Sequence, residues 1–383
     1  MDKRIIIGLL FSYDEKWIGG SYYIMNLIQS LKLLEDKSLP KLIIISKNEE
    51  DFLKIKQLNY PYINYKNINH EENLIPKIIN KISRKIIFKR NIIKNIDSNI
   101  DLLFPSNGDA SLSWIKKQLF WIPDFQELHL PQFYPNANLE ERKSNRKIFS
   151  KSKKNVVFSS KDALNDYNFF FKENNTKNYV LNFSVFHPKY DNLNQEILKK
   201  HNLNNKNYFF SPNQFWKHKN QIIILKALVI LKNKNKLNFT VAFSGKEYDY
   251  RNPEYFQELK DFTIKNDLQE NILFLGFIDR EEQLYLMKNS LAIIQPSLFE
   301  GWSTVVEDTK SMNQNCIVSD LNVHKEQLKD KGYYFNPCNE NQLAEILLKF
   351  NINKYEKPDF DYEKKSQNFG YEFIKIANDI INS

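Results

Sequence analysis

Short apolar runs rich in β-branched and aromatic residues recur along the chain, separated by polar turns and by longer stretches with helical spacing. In the first half they are KRIIIGLLF (3–11), KLIIIS (41–46), DLLFPS (101–106), QLFWIPD (118–124) and NVVFSS (155–160). The second half continues with YFFSPN (208–213), FTVAFSG (239–245), NILFLGF (271–277), LAIIQPS (291–297), CIVSD (316–320) and YYFNP (333–337). Runs that are continuously apolar rather than alternating predict strands buried on both faces, as in a parallel sheet covered by helices. Their alternation with helical patterns in both halves predicts two doubly wound α/β domains. A polar, Asn-rich stretch, HPKYDNLNQEILKKHNLNNKN (187–207), separates them. The expected division is therefore 1–190, 191–360 and a last helical segment, 361–383, that either stands alone or crosses back to the first domain.

A length of 383 residues fits two domains, and 42% hydrophobic with 14% aromatic residues supplies two cores. The charge of +9 invites an anionic partner. Basic residues are dispersed and no zinc-finger or RNA-binding signature accompanies them, so nucleic acid is not expected; a phosphate-bearing ligand or a lipid surface explains the same excess. Cys316 and Cys338 lack metal-ligand spacing and fit a reducing compartment without structural disulfides. The N-terminal MDKRIIIGLLFSYDEKW reads as a first strand, since its apolar run is short and lacks a small-residue cleavage site. No segment approaches the about 18 apolar residues of a spanning helix, so a cytoplasmic protein, peripheral to a membrane at most, is expected. Ile75, Ile79, Ile82, Ile86 and Ile93 share one helical arc opposite Lys77, Lys81 and Arg84. That segment either covers a domain face or docks on a membrane, and the basic run RKSNRKIFSKSKK (142–154) is either a solvated face or part of the same patch.

The densest chemistry lies in QPSLFEGWSTVVED, where a strand ends and a helix begins. Gly301 allows close approach, Ser303 and Thr304 occupy favoured N-cap positions, and a helix starting near Thr304 would turn its positive end toward a phosphate. Glu300, just before it, would repel a simple phosphate but suits a nucleotide sugar, whose hydroxyls donate to the carboxylate while the diphosphate lies on the helix. Glu307 or Asp308, one turn on, can accept from ribose hydroxyls or merely complement the helix dipole.

These residues resemble the Glu-x7-Glu region of family-4 glycosyltransferases, retaining enzymes of the two-domain GT-B fold, in a subgroup reading FEGWSTVVE. Glu300 matches the first glutamate and Asp308, a shortened acid, falls on the second position. By resemblance, Glu300 would hold the transferred sugar, Gly301 and Trp302 would belong to the donor loop, and the backbone of Ser303, Thr304 and Val305 would receive the diphosphate. SPNQFWKHKNQIIILKAL (211–228) resembles the family's phosphate-gripping segment: Lys219 matches its lysine, whereas Asn213 or Gln214 stands at the arginine position. Gly276 and Phe277 would lie near the base, and Gly19 and Gly20 match the glycine-rich loop after the first strand. In FWIPDFQELHLPQFY (120–134), Pro123 replaces a histidine of relatives, Asp124 remains, and His129 either contacts the sugar or is structural. VVFSSKDALNDY (156–167) resembles a strand-to-helix turn capped by Ser159 and Ser160.

The resemblance implies a metal-independent, cofactor-free hexosyltransferase using a GDP- or UDP-linked donor and a glycan or lipid-linked acceptor, in cell-surface polysaccharide biosynthesis. DFD (359–361) has a metal-binding spacing but sits in a polar connector, and the six histidines are scattered. A GT-B epimerase or phosphorylase and a non-catalytic nucleotide-sugar or glycan-binding protein remain alternatives.

Overall fold

The computed structural model describes residues 4–14, 18–67, 99–188, 195–204, 207–352 and 355–383. The isoleucine-rich segment 75–96 lies outside them. Within the first half, β1 (Ile6–Leu10), β2 (Lys41–Ser46), β3 (Ile63–Asn67), β4 (Leu102–Ser106), β5 (Gln118–Ile122), β6 (Asn155–Phe158) and β7 (Lys177–Val180) form a parallel sheet ordered β3-β2-β1-β4-β5-β6-β7. The second half builds β8 (Tyr208–Pro212), β9 (Thr240–Ser244), β10 (Ile272–Phe274), β11 (Ile293–Gln295), β12 (Cys316–Ser319) and β13 (Tyr333–Phe335) into a parallel sheet ordered β10-β9-β8-β11-β12-β13. Both are Rossmann-like: the order reverses beside the first strand of each sheet, which opens a crevice at the strands' carboxyl ends.

All eleven apolar runs are strands. The two strands not expected, β3 and β7, are the outer strands of the first sheet and half exposed, so their residues lack the continuous apolar run of a strand buried on both faces. Gly19 and Gly20 lie in the first turn of the helix Ile18–Leu31 rather than in a loop before it. The Asn-rich stretch is also less irregular than expected. It holds a short helix, Glu196–Lys200, because Ile197, Leu198 and Leu203 pack into a core of the second domain.

The last helix, Tyr362–Asn382, leaves the second domain and lays Phe369, Phe373, Ile376, Ala377 and Ile380 into the core of the first. Their three- and four-residue spacing makes one apolar stripe. Gly370 permits the crossing: a Cβ there would stand 2.9 Å from the Ser30 carbonyl oxygen, and its N–H donates to Ser30 Oγ at 2.6 Å. No helix among the described residues is long and apolar enough to cross a membrane.

Candidate active site

β11 delivers Gln295 at its carboxyl end, and Pro296 and Ser297 follow in the loop to Glu300. Three donors converge on one oxygen of that glutamate: Lys219 Nζ at 2.6 Å, Gln295 Nε2 at 2.7 Å and Ser297 Oγ at 2.6 Å from Oε1. No hydrogen bond to Oε2 is found among the described residues. Burial works against the charge, yet Lys219 and Ser297 more than offset it and hold the carboxyl down at about 2. Lys219 ends a 3-10 turn, Lys217–Lys219, after β8. Asn220 next to it is left-handed, at φ 58, and its Nδ2 donates to the carbonyls of Pro296 (3.1 Å) and Pro337 (3.0 Å). The Leu298 amide reaches the His218 carbonyl at 2.8 Å. Turn and loop are thus clamped together, which fixes the ammonium against the carboxylate.

Ser303 caps the helix Thr304–Ser311, its Oγ accepting from the Val306 amide at 3.4 Å. Gln327 then occupies both backbone groups of Ser303: Oε1 accepts its N–H at 3.1 Å and Nε2 donates to its carbonyl at 3.0 Å. The Ser303 amide is therefore committed inside the protein. Thr304 and Val305, in the first turn, carry the amides that have no intrahelical acceptor and can meet an anion.

The two acids of this helix part company. Glu307 is fully buried: Oε2 accepts from Lys365 Nζ (2.5 Å) and Tyr362 Oη (2.9 Å) of the last helix, and Oε1 from Gln327 Nε2 (2.9 Å) and Lys310 Nζ (3.3 Å). Asp308 Oδ1 lies 2.9 Å from His187 Nε2 and 2.5 Å from Arg280 Nη2. Burial opposes its charge, but Arg280 and His187 keep its carboxyl below the usual range.

Across the cleft stand the carboxyl ends of the first sheet. A Cβ on Gly301 would meet Asp124 Cβ at 2.6 Å and the Pro123 carbonyl oxygen at 2.7 Å, so glycine is what lets the two domains touch there. Burial, with the charges of Glu127 and Glu300 adding to it, raises Asp124 above the ordinary carboxylate range. His129 Nε2 pairs with Asp166 Oδ2 at 2.8 Å, a bond that raises the imidazole, and its ring lies 5.0 Å from that of Phe299. Trp302 points into the domain joint, its Nε1 donating to the Phe183 carbonyl at 3.1 Å. Asn213 is buried with Nδ2 3.4 Å from Ser211 Oγ, and Gln214 Oε1 accepts the Lys246 amide at 3.0 Å. Gly276, at φ 65, and the exposed Phe277 lie in the turn that follows β10, where Lys246 Nζ sits 5.4 Å from the Phe277 ring. Among the described residues nothing lies within 4 Å of a Cβ added to Gly19.

Sequence reasoning missed several residues of this region. Arg280 occupies the first turn of Arg280–Asn289, where the helix dipole disfavours a cation; that opposition was the available signal of a specific anionic partner. It reaches the first domain closely enough for its charge to oppose the rise that burial imposes on the Tyr22 hydroxyl. Arg251 spans the domains, donating from Nη1 to Gln126 Oε1 at 3.1 Å while its guanidinium lies over the Tyr134 ring at 5.0 Å. His324 is wholly buried. Its Nδ1 donates to the Ser319 carbonyl at 2.8 Å, leaving an Nε2 lone pair that has no partner among the described residues, and burial lowers its pKa. Neither Arg251 nor His324 sits in a local pattern that announces it.

Two Rossmann-like domains whose carboxyl edges meet across a cleft, one presenting a lysine–glutamate pair beside a helix N-terminus, have the GT-B fold. Residues 194–369 match the family described as Glycosyl transferases group 1. The chain is similar to the O-antigen chain mannosyltransferase RfbU of Salmonella typhimurium, at 25% identity over 206 residues, 51% of this chain and 55% of that one. It thus spans about half the length of that curated relative. It superposes on a glycosyltransferase from Rickettsia africae ESF-5 with a TM-score of 0.68 at 17% identity, covering 100% of this chain and 99% of the other. Anabaena Alr3699/HepE, crystallised with UDP-glucose, superposes with a TM-score of 0.61 at 14% identity, covering 99% of each chain. At such identities the structural likeness establishes the fold.

Proposed function

We propose that this protein is a retaining, metal-independent glycosyltransferase. It moves a hexose from a UDP- or GDP-linked donor to a hydroxyl of a glycan or lipid-linked acceptor, at the cytoplasmic face of a membrane, in cell-surface polysaccharide assembly. The observation that carries this reading is the asymmetry of Glu300, whose Oε1 is taken by three donors while Oε2 is left for a ligand. A carboxylate so fixed, and ionised far below neutral pH, accepts hydrogen bonds from sugar hydroxyls and favours the positive charge that develops at the anomeric carbon. Lys219 and the Thr304 and Val305 amides receive the departing diphosphate. In the displacement the anomeric carbon–phosphate oxygen bond breaks as the acceptor oxygen bonds to the same face. The departing phosphate takes the acceptor's proton. The match of residues 194–369 to a glycosyl transferase family and the similarity to a mannosyltransferase support this assignment.

The test is incubation with UDP- and GDP-hexoses, following nucleotide release and reading the product's anomeric configuration by NMR. Retention, undiminished rates in EDTA and loss of turnover in Glu300→Gln are expected. An inverted product or a rate that collapses in EDTA overturns the corresponding part. Donor binding without turnover in the presence of acceptors returns the non-catalytic reading.

A further inference from the structure

A file of aromatic rings runs from the candidate site to the surface of the first domain. Phe299, adjacent to Glu300, lies 5.0 Å from His129; His129 lies 5.5 Å from Phe170 at 82°; and Phe170 lies 5.2 Å from Phe169 at 78°. Phe299 is buried and Phe170 half-buried, His129 is exposed, and Phe169, near the end of the helix Lys161–Phe170, is 69% exposed. The Asp166 carboxylate, 2.8 Å from His129 Nε2, holds the imidazole in the file and sets polar atoms beside the rings.

We propose that this file is an acceptor subsite for an oligosaccharide, with an outer pyranose ring lying on Phe169 and the chain passing Phe170 and His129 toward Glu300. It rests on the glycosyl-transfer reading above and adds where the acceptor lies. A pyranose has an apolar C–H face and a hydroxyl rim, which matches rings flanked by a carboxylate and an imidazole. Continuity with Phe299 supplies the direction, because the file ends one residue from the carboxylate proposed to hold the donor sugar.

The test compares benzyl mono-, di- and trisaccharides as acceptors for wild type, Phe169→Ala and Phe169→Trp, with donor hydrolysis measured alongside. Trisaccharides should outperform monosaccharides in wild type, and Phe169→Ala should raise their KM roughly 10-fold, the size of one lost aromatic contact. Its kcat, its monosaccharide turnover and its donor hydrolysis should stay unchanged, and Phe169→Trp should restore the length preference. Transfer that is insensitive to acceptor length, or equal in Phe169→Ala, overturns the subsite while leaving the glycosyltransferase assignment standing. Loss of donor hydrolysis and donor binding in wild type removes the assignment itself. Where donor is hydrolysed but no acceptor is used, 19F NMR of 4-fluorophenylalanine-labelled protein titrated with the trisaccharides decides. A shifted resonance that Phe169→Leu deletes upholds the proposal, and an unshifted one ends it.

Discussion

Glu300 and Asp124 face one cleft with opposite tendencies, and the difference is their neighbours. Asp124 has carboxylates beside it and is raised by burial, whereas Glu300 is equally removed from water but has an ammonium 2.6 Å away. Replacing Lys219 with alanine should lower kcat by roughly 10²–10³, the usual effect of deleting one preorganised donor at a developing anion, as measured in the nucleotide-release assay. The Glu300 carboxyl, at about 2 in the fold against an ordinary 4.5, also couples stability to pH. Its contribution is fully present above the ordinary value and is lost as pH falls through that window, because the unfolded chain binds the proton first. Urea midpoints should therefore fall more steeply with acid in wild type than in Glu300→Gln; parallel curves would contradict the pairing. Glu300 and Lys219 were legible because each lies in a local pattern tied to a strand end. The inward turn of Trp302 and the Arg251 bridge were not, since the partner of each comes from a segment far away in the chain; His324 bonds to Ser319 only five residues back and is singled out by its burial, which no local motif carries.

For the helix Thr304–Ser311, local rules were enough to read its start but not its wiring. Ser303 as N-cap and a first helical residue at Thr304 follow from side-chain oxygen chemistry. That Glu307 is a buried tie to Lys365 and Tyr362 could not be read from a helix pattern, because those partners arrive with a helix more than fifty residues later. Lys365→Ala should cost roughly 2–3 kcal/mol in urea unfolding, below the usual 3–5 for a broken buried pair because Lys310 stays beside Glu307. Lys365→Met combined with Glu307→Gln should recover most of that loss. The strands divide in the same way. Central strands carry their burial on both faces in the sequence, while β3 and β7, the outer strands of the sheet among the described residues, read as loops until the sheet is seen.

At the scale of the whole molecule, several contacts hold the domains together. Glu326 of the second domain accepts from the amides of Lys161 and Asp162 at 3.0 and 3.3 Å and from Asn182 Nδ2 at 3.1 Å, completing a helix N-terminus in the first. With Gly301 seated on Asp124 and Arg251 on Gln126, these contacts describe a closed arrangement. Glu326→Ala should raise the radius of gyration in small-angle scattering and reduce transfer more than donor binding; an unchanged radius would show that the other contacts suffice. Deleting residues 362–383 should leave an insoluble or unfolded chain, checked by circular dichroism. Phe369, Phe373, Ile376 and Ile380 contribute about 1.5–3 kcal/mol each on burial, which together consumes a stability of about 5–15 kcal/mol. The two-domain α/β plan, the strand inventory apart from two edges, and the candidacy of Lys219 and of Glu300 were written in local order, whereas their pairing joins positions 81 residues apart. Apolar runs, caps and strand-end polar residues act over a few positions, so a linear reading captures them. The closure of the cleft, the inward fate of Trp302 and Glu307 and the aromatic file toward Phe169 emerged when distant segments met. Each depends on distances between parts of the chain that sequence order does not encode.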